Sequence, residues 1–421
     1  MTKLTQKFST QAFCTMIRFV ALALFLTLFG ASTVLAQTKA YVTNANDGTV
    51  SVINTKSNTV ITTIPVSPAP VGIAVTPNGA FVYVTLLGGT TVAVIDATTN
   101  TVIATVPVGL APSAVAITPD GAFAYVTNQF SNTVSVINTA TNTVVSTVAV
   151  GLHPGAIAIT PNGAFAYVAN ADNATVSVIN TTTNTVVATI PGMDGPTSLA
   201  VTPNGAFVYV TNLSANDVRV IDTATNTIVD TVSVGVGPVG IDITPNGAFA
   251  YVTNARECTV NGTVSVINTA TNTVTTTVSV GLCPQKLAIN PSGTFVYVPN
   301  AFSDTISVIN TATNTVTATI PTGHTPTTVA FPTRTPIVSL IAQVQALIAE
   351  GVLTQKQGDT LIKKLEGIQT KHNNDQTSAV CGQLGAFINQ VNALINNGSL
   401  TTSQGQALIE AANAIKPTLG C

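Results

Sequence analysis

Tryptophan is absent from the chain, and only 7% of its 421 residues are charged. Without an indole there is no stacking surface of the usual kind for a quinone, and no axial ligand pair stands out for a haem. Fourteen Lys and Arg stand against sixteen Asp and Glu, for a net charge of −2. No basic field exists to neutralise a phosphate backbone, so nucleic acid is excluded as a partner. Long apolar runs are also missing. The stretch from Phe19 to Phe29 is about half of what a membrane span requires, and no transmembrane anchor is expected in the mature chain. A nucleophile elbow, a zinc signature and a phosphate loop are all absent. Neither a metal nor a cofactor is expected.

What the N-terminus does hold is an address. Lys3, Lys7 and Arg18 precede the apolar stretch, and Val34-Leu35-Ala36 follows it. That order is a secretory signal over residues 1–36, cut after Ala36. Cys14 leaves with it, and Cys258, Cys283, Cys381 and Cys421 remain. An even count in an exported chain favours disulfides over free thiols. The expected location is extracellular or on the cell surface, with the periplasm as the alternative.

The body of the chain is a repeat. Ala122-Phe123-Ala124-Tyr125-Val126-Thr127-Asn128 returns with tyrosine at 41, 83, 125, 167, 209, 251 and 297. Five steps are 42 residues long and the last is 46. Each repeat contains four short segments of period two, separated by turn residues. In one repeat they run 114–118, 122–128, 133–138 and 143–150, and are termed a, b, c and d from the axis outward. Pro119-Asp120-Gly121 closes the a–b hairpin, and the Asn138 to Asn142 turn closes c–d. Such a period predicts a propeller of four-stranded blades. Phe123 and Tyr125 then belong to the core and not to a binding surface.

The ends determine the blade count. Tyr41 lies on a b strand with no a strand before it, while Pro326 to Phe331 is an a strand with no b after it. The last segment must complete the first blade, which gives seven blades and a ring without a free edge at its closure.

The tetrad Tyr-Val-Thr-Asn, the Thr-Pro-Asn-Gly turn and the Val-Ile-Asn-Thr-Ala-Thr-Asn-Thr-Val hairpin resemble the YVTN family of β-propellers. The resemblance covers residues 38–332 and implies a secreted or surface-layer protein. Leu86 and Pro299 depart from the tetrad, and Asn290 replaces a threonine. No activity follows from the resemblance, because related rings include lactonases, lyases, haem-dependent enzymes and binding scaffolds.

Beyond Pro336 the spacing becomes helical. Ile337, Leu340, Ile341, Val344, Leu347 and Ile348 form one stripe, Gly351 stops the helix, and Thr354-x-x-Gln357 is a capping box. The design recurs 47 residues later through Ile388 to Ile395, Gly398 and Thr401-x-x-Gln404. Two duplicated hairpins predict a small all-α four-helix bundle over residues 337–421. Ala386-Phe387-Ile388-Asn389-Gln390-Val391 with the glycine stop resembles the FIMAH domain. That resemblance implies an accessory module and brings no catalytic residues.

Candidate site residues lie where the repeats differ. His153 and His324 occupy d–a loops, four blades apart on one face, with no carboxylate beside them in sequence. The insert after Asn254 carries Arg256, Glu257 and Cys258, and Cys283 leaves the same blade on the same face. A Cys258–Cys283 disulfide would staple this protrusion, leaving Cys381 to pair with Cys421. Asp242 stands where the other a strands carry alanine. Lys286, on the next a strand with the same parity, stands among Ala, Gly, Ser and Thr. An uncompensated charge there is costly, so the two form either a local ion pair or a polar site in the channel mouth.

These features favour a binding or structural protein that engages an extracellular protein or polysaccharide through its loop face. The alternative is a lactonase-like or lyase-like enzyme. That alternative requires His153 or His324 beside a carboxylate in one pocket.

Overall fold

Strands apolar on both faces must be covered on both sides, and a ring of sheets does this by packing each blade between two others. The computed structural model describes residues 39–255, 258–332, 336–372 and 377–414, with 416 and 421. The expected signal at 1–36, with Arg256 and Glu257, lies outside the described residues. Seven four-stranded antiparallel sheets are present. Strands are numbered β1–β28 in chain order. The third blade consists of β8 (Pro112–Ile117), β9 (Phe123–Asn128), β10 (Thr133–Asn138) and β11 (Thr143–Ala149). Strand a begins two residues earlier than the alternation indicates, because a bulge between Pro112 and Val115 restores pairing near the loop.

Closure follows the strand count. β28 (Pro326–Ala330) pairs antiparallel with β1 (Lys39–Asn44), placing Ala330 opposite Tyr41 and Pro326 opposite Asn44. Phe331 packs edge-on against Tyr297 of the preceding blade, with ring centroids 5.1 Å apart.

Each polar side chain of the tetrad makes a different bond. The seven tyrosine rings are buried between blades. Tyr125 Oη donates to Asn184 Oδ1 at 2.7 Å in the next blade's c–d turn, and Tyr209 Oη does the same to Asn272 at 2.6 Å. Those asparagines adopt φ of 52° and 50°, a left-handed conformation that asparagine tolerates. Burial pushes the Tyr125 phenol up to about 12, so it remains a donor. Thr127 Oγ1 accepts the buried Ala114 amide at 2.9 Å, which pins strand a to strand b. Asn128 Nδ2 donates to Thr133 and Ser135, tying the b–c hairpin. Two blades lack the threonine, since Ala169 and Pro299 have no hydroxyl to offer strand a.

The C-terminal segment contains four helices. They are α1 (Pro336–Ala349), α2 (Gln355–His372), α3 (Thr377–Asn396) and α4 (Thr402–Ala414). Leu340, Leu361, Leu384 and Leu408, one from each helix, belong to a single apolar cluster. Both capping boxes form, with Thr354 N–H donating to Gln357 Oε1 at 2.9 Å and Thr401 N–H to Gln404 Oε1 at 3.1 Å. Gly351 and Gly398 adopt φ of 72° and 76°, as helix stops require. Cys381 lies one turn inside α3, which begins at Thr377.

Candidate functional site

The b–c and d–a loops emerge on one face, where the repeat is least regular. A d–a loop lies against a b–c loop of its own blade or the next, and this brings residues about twenty apart into contact. His324 is fixed in this way. Its backbone N–H donates to Asp47 Oδ2 at 2.7 Å, and its Nδ1 lies 2.8 Å from Asp304 Oδ2. Asp304 Oδ1 accepts the Thr325 amide at 2.9 Å, so the carboxylate is itself oriented. Gly323 permits the approach, since a Cβ there would come within 2.5 Å of Asp47 Oδ2.

These residues line an open cavity of about 490 Å³ that also includes Asn46, Ala301 and Phe302. The hydrogen bond to Asp304 raises the His324 imidazole above its ordinary value, with the charges of Asp304 and Asp47 adding to the effect. Asp304 is held below the usual carboxylate range, first by the Thr325 amide and further by His324.

A second cluster lies four blades away. His153 Nδ1 is 3.3 Å from Asp172 Oδ2, and its backbone N–H donates to Asn132 Oδ1 at 3.0 Å. The exposed Phe130 ring stands edge-on to the imidazole, with centroids 5.7 Å apart. Both histidines therefore have a carboxylate partner that neither shows in local sequence. In sequence the partners stand apart, Asp172 being 19 residues from His153 and Asp304 20 from His324.

Exposed large apolar side chains occupy two places. Val145, Val187 and Val229 are on outer d strands, whereas Leu110, Phe130, Leu152, Leu213, Val236 and Phe302 are on the loop face. Phe130 and Phe302 are 64% and 61% exposed, well beyond an ordinary half-covered aromatic. The Cys258–Cys283 disulfide is formed, with Cα atoms 4.4 Å apart, and it staples the insert to this same face. Cys381 is bonded to Cys421, which ties α3 to the chain's last residue.

The channel departs from the expected ion pair. Asp242 Oδ1 accepts the Ile243 amide and Oδ2 the Ile289 amide, both at 2.8 Å. Lys286 Nζ instead donates to Gly155 O at 3.2 Å, on an inner strand three blades away. No ion pair joins Asp242 to Lys286 among the described residues, because each is directed at a backbone partner. Both keep partial solvent contact while protein surrounds them. Burial pushes the Asp242 carboxyl up to about 6 against the pull of its two amide donors, and pulls the Lys286 ammonium down to about 8. Among the described residues no group of three or more His, Cys, Asp and Glu side chains is arranged to hold a metal ion.

Comparison with known proteins agrees with this architecture. Residues 33–150, 76–235 and 222–331 match the model of the seven-bladed β-propeller lactonases, and residues 337–416 match the FIMAH domain. A search of curated proteins finds no match. Among solved structures, hydrazine synthase of Kuenenia stuttgartiensis is 24% identical, with a TM-score of 0.57 over 63% of this chain and 90% of its own. A functionally unknown protein of Desulfotomaculum acetoxidans is 19% identical, with a TM-score of 0.60 over 69% of this chain and 99% of its own. A candidate 6-phosphogluconolactonase of Bacteroides uniformis is 18% identical, with a TM-score of 0.58 over 70% and 99%. At these identities the likeness is one of fold.

Proposed function

Because the chain belongs to the lactonase family of seven-bladed β-propellers, we propose that it works through the loop face of that ring, binding an extracytoplasmic protein. One observation carries this reading. The tetrad's Tyr, Thr and Asn side chains are committed to hydrogen bonds within the ring, as Tyr125, Thr127 and Asn128 show, while the loop face displays exposed Phe and aliphatic side chains beside Asp47, Asp172 and Asp304. Large exposed apolar side chains gathered on one face and rimmed by polar groups mark a protein-binding surface. The mixture of Leu and Val with Phe favours a protein over a polysaccharide, which uses aromatic platforms and polar groups.

Two disulfides fit a location outside the cytoplasm, and the signal read at 1–36 supplies the export route. Within the family we place the chain among YVTN-type surface propellers, with the four C-terminal helices as a compact accessory bundle. The family match slides along the chain in three overlapping registers, as a match to the repeat does. It supports the ring more than any fixed set of catalytic residues.

The test compares the protein with a Phe130→Ser, Leu152→Ser, Phe302→Ser variant against fractionated envelope proteins and envelope polysaccharides of the producing cell. Saturable binding to a protein that the variant loses at unchanged thermal stability is expected. Binding to polysaccharide alone, or equal binding by the variant, would overturn the reading.

One observation favours a second reading, lactone hydrolysis. His324 and Asp304 form a hydrogen-bonded dyad in an open cavity. With its Nδ1–H held by Asp304, the imidazole Nε2 would take a proton from water attacking a lactone carbonyl. Among the described residues no lysine or arginine lines that cavity to hold the oxyanion, so the rate enhancement would be modest. Turnover of glucono-δ-lactone that His324→Ala abolishes would establish this activity. Equal rates for the two proteins would exclude it.

A further inference from the structure

Lys286 is the anomaly that the loop-face reading does not use. On the other inner strands the equivalent position is glycine, alanine, serine or threonine, and in five blades its amide donates to the tetrad threonine, as Gly72 does to Thr85 and Gly240 to Thr253. In this blade the threonine is replaced by Pro299. The Lys286 amide turns instead to Thr327 O of the next blade at 3.1 Å, and the inner strand shortens to Ala288–Ile289. Gly240 faces this segment, and a Cβ there would lie 2.8 Å from Lys286 Cα. Lys286 and Pro299 are thus two parts of one local rearrangement, which carries an ammonium across the axis.

The ammonium arrives there with its donors largely unused. It has three N–H groups, and Gly155 O is the one acceptor it reaches among the described residues. That carbonyl already accepts Ser113 Oγ at 2.9 Å. Asp242, the charged residue on the adjoining inner strand, has both oxygens occupied by backbone amides. Gln285 is neutral and donates to the Cys283 carbonyl, so it supplies no counter-charge. An ammonium lined by protein, with two donors unmatched and no counter-charge among the described residues, is complementary to an anion.

We propose that the channel is a binding site for a small carboxylate, which the Lys286 ammonium holds through the two N–H groups that Gly155 leaves free. A carboxylate such as formate or acetate accepts two donors side by side. Binding restores the counter-charge that burial denies Lys286, so it draws the ammonium's pKa back up and takes up protons near pH 8.

The experiment is calorimetry on the whole protein with formate and acetate at pH 8, in two buffers of different ionisation enthalpy, with chloride at equal ionic strength as the control. Saturable carboxylate binding with proton uptake is expected. Lys286→Met should abolish it. Lys286→Arg should retain binding without proton uptake, because a guanidinium is charged throughout, and this variant keeps the test open if the methionine variant fails to fold. Equal heats from chloride, or undiminished binding by folded Lys286→Met, would overturn the proposal.

Discussion

Thr127→Val tests the account of the tetrad most directly. The substitution keeps the shape of a fully buried side chain and deletes one oxygen. That oxygen accepts the Ala114 amide at 2.9 Å, and Ala114 is itself buried on the inner strand. A stranded buried N–H costs about 1–3 kcal/mol, whereas an exchangeable hydrogen bond contributes about 1 kcal/mol. Tyr125→Phe supplies the contrast. Its partner Asn184 sits in a c–d turn at the ring's surface, where water can replace the phenol, so about 0.5–1.5 kcal/mol is expected. Valine at 127 should therefore be the costlier change.

The assay follows from composition. The chain has no tryptophan, and all seven tyrosines lie on the ring's b strands. Tyrosine fluorescence in a denaturant titration thus reports on the ring without contribution from the helices, and an unchanged m value licenses the comparison. A loss below about 0.5 kcal/mol for Thr127→Val, or a larger loss for Tyr125→Phe, would refute the roles assigned to these two side chains.

Deleting residues 326–331 should leave β1 with an unpaired edge and produce concentration-dependent association, read by light scattering; a monodisperse ring would contradict closure through β28. His324 should titrate above an ordinary histidine by NMR, and Asp304→Asn should bring it down. Since its folded pKa is raised, the pair's contribution to stability is complete below the ordinary imidazole value and disappears as pH rises through the raised one. Replacing Cys381 and Cys421 by serine opens a link between residues 40 apart and should cost the helical segment about 3–4 kcal/mol, read by circular dichroism. Gly405→Ala should destabilise the same segment, because its Cβ would lie 2.3 Å from Ile395 Cδ1; an unchanged melting temperature would show that Ile395 can move aside.

The ring was legible because its information is periodic. Tyr125 and its six counterparts set the blade count, and Pro326 to Phe331 without a following b strand set the closure. The helices were legible through capping and glycine stops, the Cys258–Cys283 bond through a shared face, and Cys381–Cys421 as the pair left within the helical piece. The sites were less so, since each is assembled from departures in different loops. Asp47 meets His324 from 277 residues away, and the 20-residue spacing of His324 from Asp304 acquires meaning only once loop stacking is known. The Asp242–Lys286 pairing failed for another reason. Side-chain parity places two charges in one channel but does not reveal that backbone amides and a carbonyl satisfy them first.

The closure of the ring also has a consequence for synthesis. Thr43 and Thr328, hydrogen-bonded in the finished blade, are 285 residues apart. At about 5–20 residues per second the ribosome needs roughly 14–60 s to bring the second after the first. If the first blade folds before β28 arrives, it is a three-stranded sheet whose β1 edge presents unpaired amides and carbonyls. A ring that hides this edge once complete must expose it for most of its own translation. The vulnerable species is therefore the nascent chain, and a holding factor that binds extended backbone would act on β1 before any other part of the protein.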